Sequence, residues 1–177
     1  VNTRLQVEHP VTEEVTGMDL VYEQLRIARG EELGYEQDDV SWIGHSIEAR
    51  LYAEDPSNDF LPETGTLIAF EEDPHAEARW DTGVESGSIV GTSFDPMLAK
   101  VISYGATRTD AASKLARALE AAHIGGLTTN RDFLVATLKT KEFLDGDTTT
   151  DFITRVKPPR SLELSEEQIK HVTSIAA

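Results

Sequence analysis

Cysteine is absent from the 177 residues. That excludes disulfides, thiolate metal sites and thiol nucleophiles, and fits a reducing compartment such as the cytoplasm. No apolar run approaches the length that spans a bilayer, and no signal peptide opens the chain. Basic residues are scarce, with 16 Lys and Arg against 32 Asp and Glu and a formal charge of −16. Nucleic acid and anionic membrane are therefore poor partners, because a phosphate surface needs a basic footprint. The five histidines (His9, His45, His75, His123 and His171) include no pair at zinc-ligand spacing. G-x-S-x-G and a glycine-rich phosphate loop are also missing, as are internal repeats and low-complexity tracts.

What is present is ordinary for a globular protein. Hydrophobic residues make up 39% and charged residues 27%, enough for one domain with a sizeable core. Chemistry is concentrated at the start, in VNTRLQVEHPVTEEVT. Asn2, Arg4, Gln6 and Glu8 occupy every second position, with Leu5 and Val7 between them. An extended backbone would place the four polar groups on one face, neighbours about 7 Å apart. Arg4 is a planar cationic fork suited to a small oxyanion, Gln6 adds neutral donors, and Glu8 can accept a proton. Such a row can bind and deprotonate an oxyacid. It can equally be the solvated face of a one-sided strand.

Further along, Pro10 to Gly30 reads as helical. Met18, Val21, Leu25 and Ala28 form an apolar stripe expected to pack against the body, with Thr16 as cap and Gly30 as stop. Gly30 to Ser41 is acidic and irregular, a connection. From Ser46 the period becomes two: Ile47, Ala49, Leu51 and Ala53 alternate with Glu48, Arg50, Tyr52 and Glu54, a half-buried strand. Short strands are expected at Thr66 to Phe70 and Ala76 to Trp80, and a buried one at Met97 to Tyr104, with Lys100 snorkelling or paired. Helices follow at Thr109 to His123, capped by Thr109, and at Asn130 to Thr140, capped by Asn130 or Thr129. IGGL between them suits a short strand whose glycines admit a neighbouring backbone. Asp151 to Val156 reads as a last helical turn, and Ser161 to Ala177 as a further helical segment capped by Ser165.

The string NTRLQVEHPVTEEVTG resembles the signature of biotin carboxylases, at the C-terminal end of their ATP-grasp domain. The resemblance continues through GHSIEARLYAEDP, FLPETGTL, FDPMLAKVISYG and IGGLTTNRDFL, to about residue 156. It implies an α+β fold: residues 1–40 as the remnant of an ATP-grasp domain, and 41–156 as a biotin carboxylase C-terminal domain. The latter would be a small antiparallel sheet or partial barrel with packed helices, and 157–177 a linker or the start of another segment. Enzymes of this kind use ATP and bicarbonate to carboxylate biotin carried on another domain or subunit, the first half-reaction of an acyl-CoA carboxylase. The resemblance places Arg4, Gln6 and the Val7 N–H on bicarbonate, with Glu8 as its base. Asn2 would lie near the phosphates and Mg²⁺ (or Mn²⁺), and Arg50 would stabilise the oxyanion of the biotin ureido group.

No Met-Lys-Met acceptor occurs, so biotin is not attached to this segment. Implied partners are a biotin carboxyl carrier domain, a carboxyltransferase subunit, the N-terminal ATP-grasp part and a second copy in a homodimer. Arg79, Trp80 and Asp95 are candidates for that last contact, with Trp80 alternatively in the core. Because the ATP-clamping groups belong upstream, the 177 residues alone are expected to be inactive. A non-catalytic assembly domain and a piece of another ATP-grasp carboxylating ligase are the alternatives.

Overall fold

Residues 1–161 are described by a computed structural model; the tail segment expected to be capped by Ser165 lies outside the described residues. In chain order the elements are helices α1 (His9–Thr16) and α2 (Leu20–Ala28), then strands β1 (His45–Tyr52), β2 (Glu54–Asp55), β3 (Leu61–Pro62) and β4 (Gly65–Thr66). Strands β5 (Ala69–Glu71), β6 (Arg79–Thr82), β7 (Ile89–Val90) and β8 (Met97–Gly105) follow. Helix α3 (Arg108–Ala121), strand β9 (His123–Gly125) and helices α4 (Arg131–Leu138), α5 (Lys141–Leu144) and α6 (Phe152–Val156) come last among the described residues.

The period-two stretch is the middle of the architecture. Strand β1 pairs antiparallel with β8, which pairs antiparallel with β6. Alternation sends Ile47, Ala49 and Leu51 to one face and Glu48, Arg50 and Tyr52 to the other. Helix α3 lays Ala112, Leu115, Ala116 and Leu119 over the apolar face, joined by Val135 and Leu138 of α4. Leu115 and Leu119 are fully buried, each contributing about 1.5–3 kcal/mol of apolar transfer. A second cluster of Leu51, Ala53, Leu67, Val90, Leu98 and Ala99 continues into the two-stranded ladders β2–β3, β4–β7 and β5–β9. Trp80 is partly buried and packs against both clusters.

The glycine pair expected to admit a neighbour does so. Gly126 follows β9 at φ +102°, where a Cβ would stand 2.3 Å from the Thr66 carbonyl oxygen and 2.6 Å from the Ile68 nitrogen.

Several expectations are corrected. Val1 to Glu8 is not a strand; it has no sheet partner and ends in a turn, where the Gln6 carbonyl accepts the His9 N–H at 3.2 Å. The single helix from Pro10 to Gly30 is two helices, because Gly17 at φ +72° closes α1 and Asp19, not Thr16, caps α2 by accepting the Tyr22 N–H at 2.8 Å. None of the α2 side chains is buried: Val21 and Leu25, expected to pack inward, are 39% and 60% exposed. The strand expected over Thr66 to Phe70 divides because the chain changes partner there. Leu67 N–H bonds to Ser88 beside β7, and Ile68 N–H to Gly125 of β9. The strand expected from Ala76 starts at Arg79, since Asp73 folds the preceding residues into a turn by accepting from His75 and Ala76. Helix α3 is capped by Thr107, two residues before the expected Thr109.

Candidate functional site

The polar face of the three-stranded sheet is covered by α1, and the register dictates what meets there. Arg50 of β1 stands opposite Lys100 of β8, which stands opposite Asp81 of β6. Two like charges side by side across strands repel each other, so this row requires anions. Asp81 supplies one, 3.4 Å from Lys100 Nζ. The turn before α1 supplies the other: Glu8 Oε2 accepts from Arg50 Nη2 at 2.9 Å. Lys100 Nζ also donates to the Val7 carbonyl at 3.2 Å, tying that turn down on the sheet.

Helix α1 is held in the same way. Glu13 accepts from Arg79 Nη1 at 2.7 Å and from the Leu20 N–H at 2.9 Å, while Arg79 Nε and Nη2 donate to Asp81 at 2.9 and 3.0 Å. Burial alone would raise the Asp81 pKa, but its hydrogen bonds from Arg79 and the nearby Lys100 hold it below the ordinary carboxylate range. Arg79, a candidate for the dimer contact, is thus occupied within the chain. Asp95, another, accepts the Met97 N–H at 2.8 Å in a turn.

Arg4, Gln6 and Glu8 line one cavity of about 560 Å³, with His9, Thr12, Glu23 and Gln24 and with apolar walls from Leu5, Leu20, Ile27 and Leu33. They reach the same cavity through an irregular segment and a turn, not by strand alternation. Gln6 lines the cavity, but its Nε2 is buried without an acceptor, an arrangement that costs about 1–3 kcal/mol. Arg4 has no hydrogen-bond or ion-pair partner among the described residues. Arg4, Gln6 and Glu8 thus bring a guanidinium, an amide and a carboxylate to the lining of one cavity. Such a set can hold a small oxyanion and take a proton from it.

Asn2 is exposed and does not line the cavity. Among the described residues no group of three or more His, Cys, Asp or Glu can hold a metal ion. The single amide of Asn2 does not make a metal site by itself.

Three residues that motif reading did not single out organise the site. Lys100 holds the turn, as just described. Glu48 lies on the covered face with its carboxylate beneath Arg50, 3.9 Å from Nε. Asn130 does not cap α4 with its side chain; its Oδ1 accepts the Tyr52 N–H at 2.9 Å and its Nδ2 donates to the Arg50 carbonyl at 3.1 Å. It therefore acts as a short substitute strand along the edge of β1 at Arg50. Cross-strand register was the missing signal for Lys100, and nothing local marks Asn130.

Residues 48–155 match the biotin carboxylase C-terminal domain family, and residues 1–36 match the carbamoyl-phosphate synthase L chain ATP-binding domain. The chain is 49% identical over 153 residues to biotin carboxylase 2 of Bacillus subtilis, covering 86% of this chain and 34% of that protein. It is 47% identical to the mitochondrial methylcrotonoyl-CoA carboxylase subunit alpha of Rattus norvegicus, covering 86% of this chain and 22% of that protein. In structure it is similar to the biotin carboxylase domain dimer of Hydrogenobacter thermophilus 2-oxoglutarate carboxylase, solved with MgADP, ADP and bicarbonate. The TM-score is 0.88 at 36% identity, covering 92% of this chain and 36% of that one. The chain thus spans about a third or less of the length of these relatives.

Proposed function

The chain belongs to the biotin carboxylase C-terminal domain family, and from that premise we propose that it is the bicarbonate-holding part of an ATP-dependent biotin carboxylase. The observation that carries this reading is the cavity lined by Arg4, Gln6 and Glu8, with Glu8 docked on Arg50. Arg4, the Gln6 amide and the Val7 N–H hold the anion. Glu8 takes the proton of its hydroxyl, leaving an oxygen nucleophile for the terminal phosphate of ATP. As Glu8 becomes neutral its charge-assisted bond to Arg50 weakens, and the guanidinium is released to meet negative charge developing on the ureido oxygen of biotin.

In this reading residues 1–40 close an ATP-grasp domain and 41–156 form the C-terminal domain, a division supported by the family matches at 1–36 and 48–155. Asn2 contributes to a Mg²⁺ site completed by residues elsewhere in the larger enzyme. The partners are a biotin carboxyl carrier domain, a carboxyltransferase and a second copy of the carboxylase. No helix among the described residues is long and apolar enough to cross a membrane, and a cytoplasmic setting is part of the proposal.

The test is a titration of the ¹⁵N-labelled chain with bicarbonate, against chloride and nitrate at matched ionic strength. Shifts confined to the Val7 N–H, the Gln6 side-chain amide and Arg4 Nε, and abolished in Arg4→Ala and Gln6→Ala, are expected. Equal shifts with nitrate, or shifts centred elsewhere, would refute it.

A further inference from the structure

Glu48 is the least comfortable group in the protein. Its side chain is only 4% exposed, and neither carboxylate oxygen has a hydrogen-bond partner. Burying an ionised carboxylate without hydrogen bonds is expensive and is relieved only by nearby cations. Those cations belong to the site: Arg50 on its own strand and Lys100 on β8, the residue that holds the Val7–Glu8 turn. Glu8 and His9, from the turn and the start of α1, also face it. Two nitrogens of the Arg50 guanidinium are used differently. Nη2 reaches Glu8 at 2.9 Å, whereas Nε faces Glu48 at 3.9 Å.

We propose that Glu48 is a positioning residue that retains Arg50 through its Nε, so that Nη2 stays beside Glu8 when Glu8 gives up its charge. A guanidinium with Glu8 as its sole anchor would swing into solvent once that carboxylate is protonated, since Arg50 is 44% exposed. With a second carboxylate behind it, the freed Nη2 remains where an incoming anion needs it. The proposal deepens the reading of this site and rests on it only for the identity of that anion; the two-sided grip belongs to the chain itself. The uncompensated burial of Glu48 follows: a carboxylate with good hydrogen bonds of its own would not need the guanidinium.

Burial raises the Glu48 pKa, against Lys100 and then Arg50, which lower it. The grip is therefore strongest above the titration of Glu48 and weakens as pH falls through its raised value.

The Arg50 Nε–H signal of the 177-residue chain reports on this without any enzymatic activity. Glu8→Gln mimics the protonated base. In that variant the Nε–H is expected to exchange more slowly than that of a free arginine at neutral pH, and this protection, taken relative to the free side chain at each pH, is expected to fall as the pH is lowered through the titration of Glu48. In Glu8→Gln/Glu48→Gln the exchange is expected to be about tenfold faster at neutral pH and to lose that pH step. Glu8→Gln/Glu48→Asp, which keeps the charge on a shorter arm, should recover part of the protection. A fold-wide effect is separated by the melting temperature, which Glu48→Gln should hold or raise. Equal exchange in the single and double glutamine variants would overturn the proposal, whether or not the bicarbonate titration succeeds. Should Glu48→Gln be poorly folded, loss of the pH step in Glu8→Gln alone decides the same way.

Discussion

Replacement of Asn130 separates two roles that the same residue can play. Asparagine directly before a helix reads as its cap, and serine is an equally good cap. In the structure the amide instead spans two backbone groups of β1, the Tyr52 N–H and the Arg50 carbonyl, while its own N–H reaches the Tyr52 carbonyl at 3.1 Å. Asn130→Ala removes both side-chain bonds, each worth about 1 kcal/mol net, and leaves two partly buried groups in search of water. The expected loss is about 2–3 kcal/mol, or roughly 5–10 °C in a chain of this size. Asn130→Ser retains a capping hydroxyl but is too short to reach both groups, so it should lose nearly as much as alanine. Urea and thermal unfolding measured by circular dichroism provide both numbers. The strand-substitute role is refuted if Asn130→Ser matches the parent protein while Asn130→Ala does not.

Gly126→Ala places a Cβ within 2.6 Å of two backbone atoms at a positive φ. It should cost about 3 kcal/mol or more, with the β5–β9 amides losing hydrogen-exchange protection first. Lys100→Met removes the donor to the Val7 carbonyl and a partner of Asp81, so exchange at the amides of Glu8 and His9 should rise with little change in the α3 amides. Glu48→Gln tests linkage: the native state binds the Glu48 proton more tightly than the unfolded chain, so the parent's stability falls as pH rises through the carboxylate range to the raised native value. The variant should therefore be the more stable at neutral pH and converge with the parent in acid; a constant difference across pH 4–8 would refute the buried-charge assignment. Arg79→Ala should loosen α1 from β6, seen as faster exchange in α1, with a stability loss of about 1 kcal/mol because the guanidinium is partly exposed.

How much of this was legible in advance follows the physics of each residue. The β1 alternation, the β8 run between Pro96 and Gly105, and the Ala112–Leu115–Leu119 stripe were readable because each buries one face of a regular element. The same rule misplaced the opening segment. Asn2, Arg4, Gln6 and Glu8 alternate in sequence, yet the segment pairs with no strand, and Arg4, Gln6 and Glu8 come together through a turn held by Lys100. The α2 stripe was correctly apolar but was assigned a partner that residues 1–161 do not supply. Lys100 was expected to be snorkelling or paired and is paired with Asp81, but its place opposite Arg50, like those of Glu48 beneath Arg50 and Asn130 alongside it, stayed hidden because it lies in the pairing.

That three otherwise unremarked residues converge on one arginine has an energetic reading. Apolar residues in place of Glu48, Lys100 and Asp81 would bury more favourably, since buried ion pairs seldom outdo a hydrophobic replacement of similar volume. The sheet already has an apolar face, where α3 and α4 supply the core, so the charged face is not needed to drive folding. What it achieves is restraint of a side chain that would otherwise be free: the strand backbone at Arg50 is clamped by Asn130, its Nε faces Glu48, and its Nη2 is on Glu8. Each tether acts on a different part of the residue, so losing one leaves the others in place. In the proposed reading Glu8 changes charge without the arginine leaving, so that one guanidinium serves first a base and then an oxyanion.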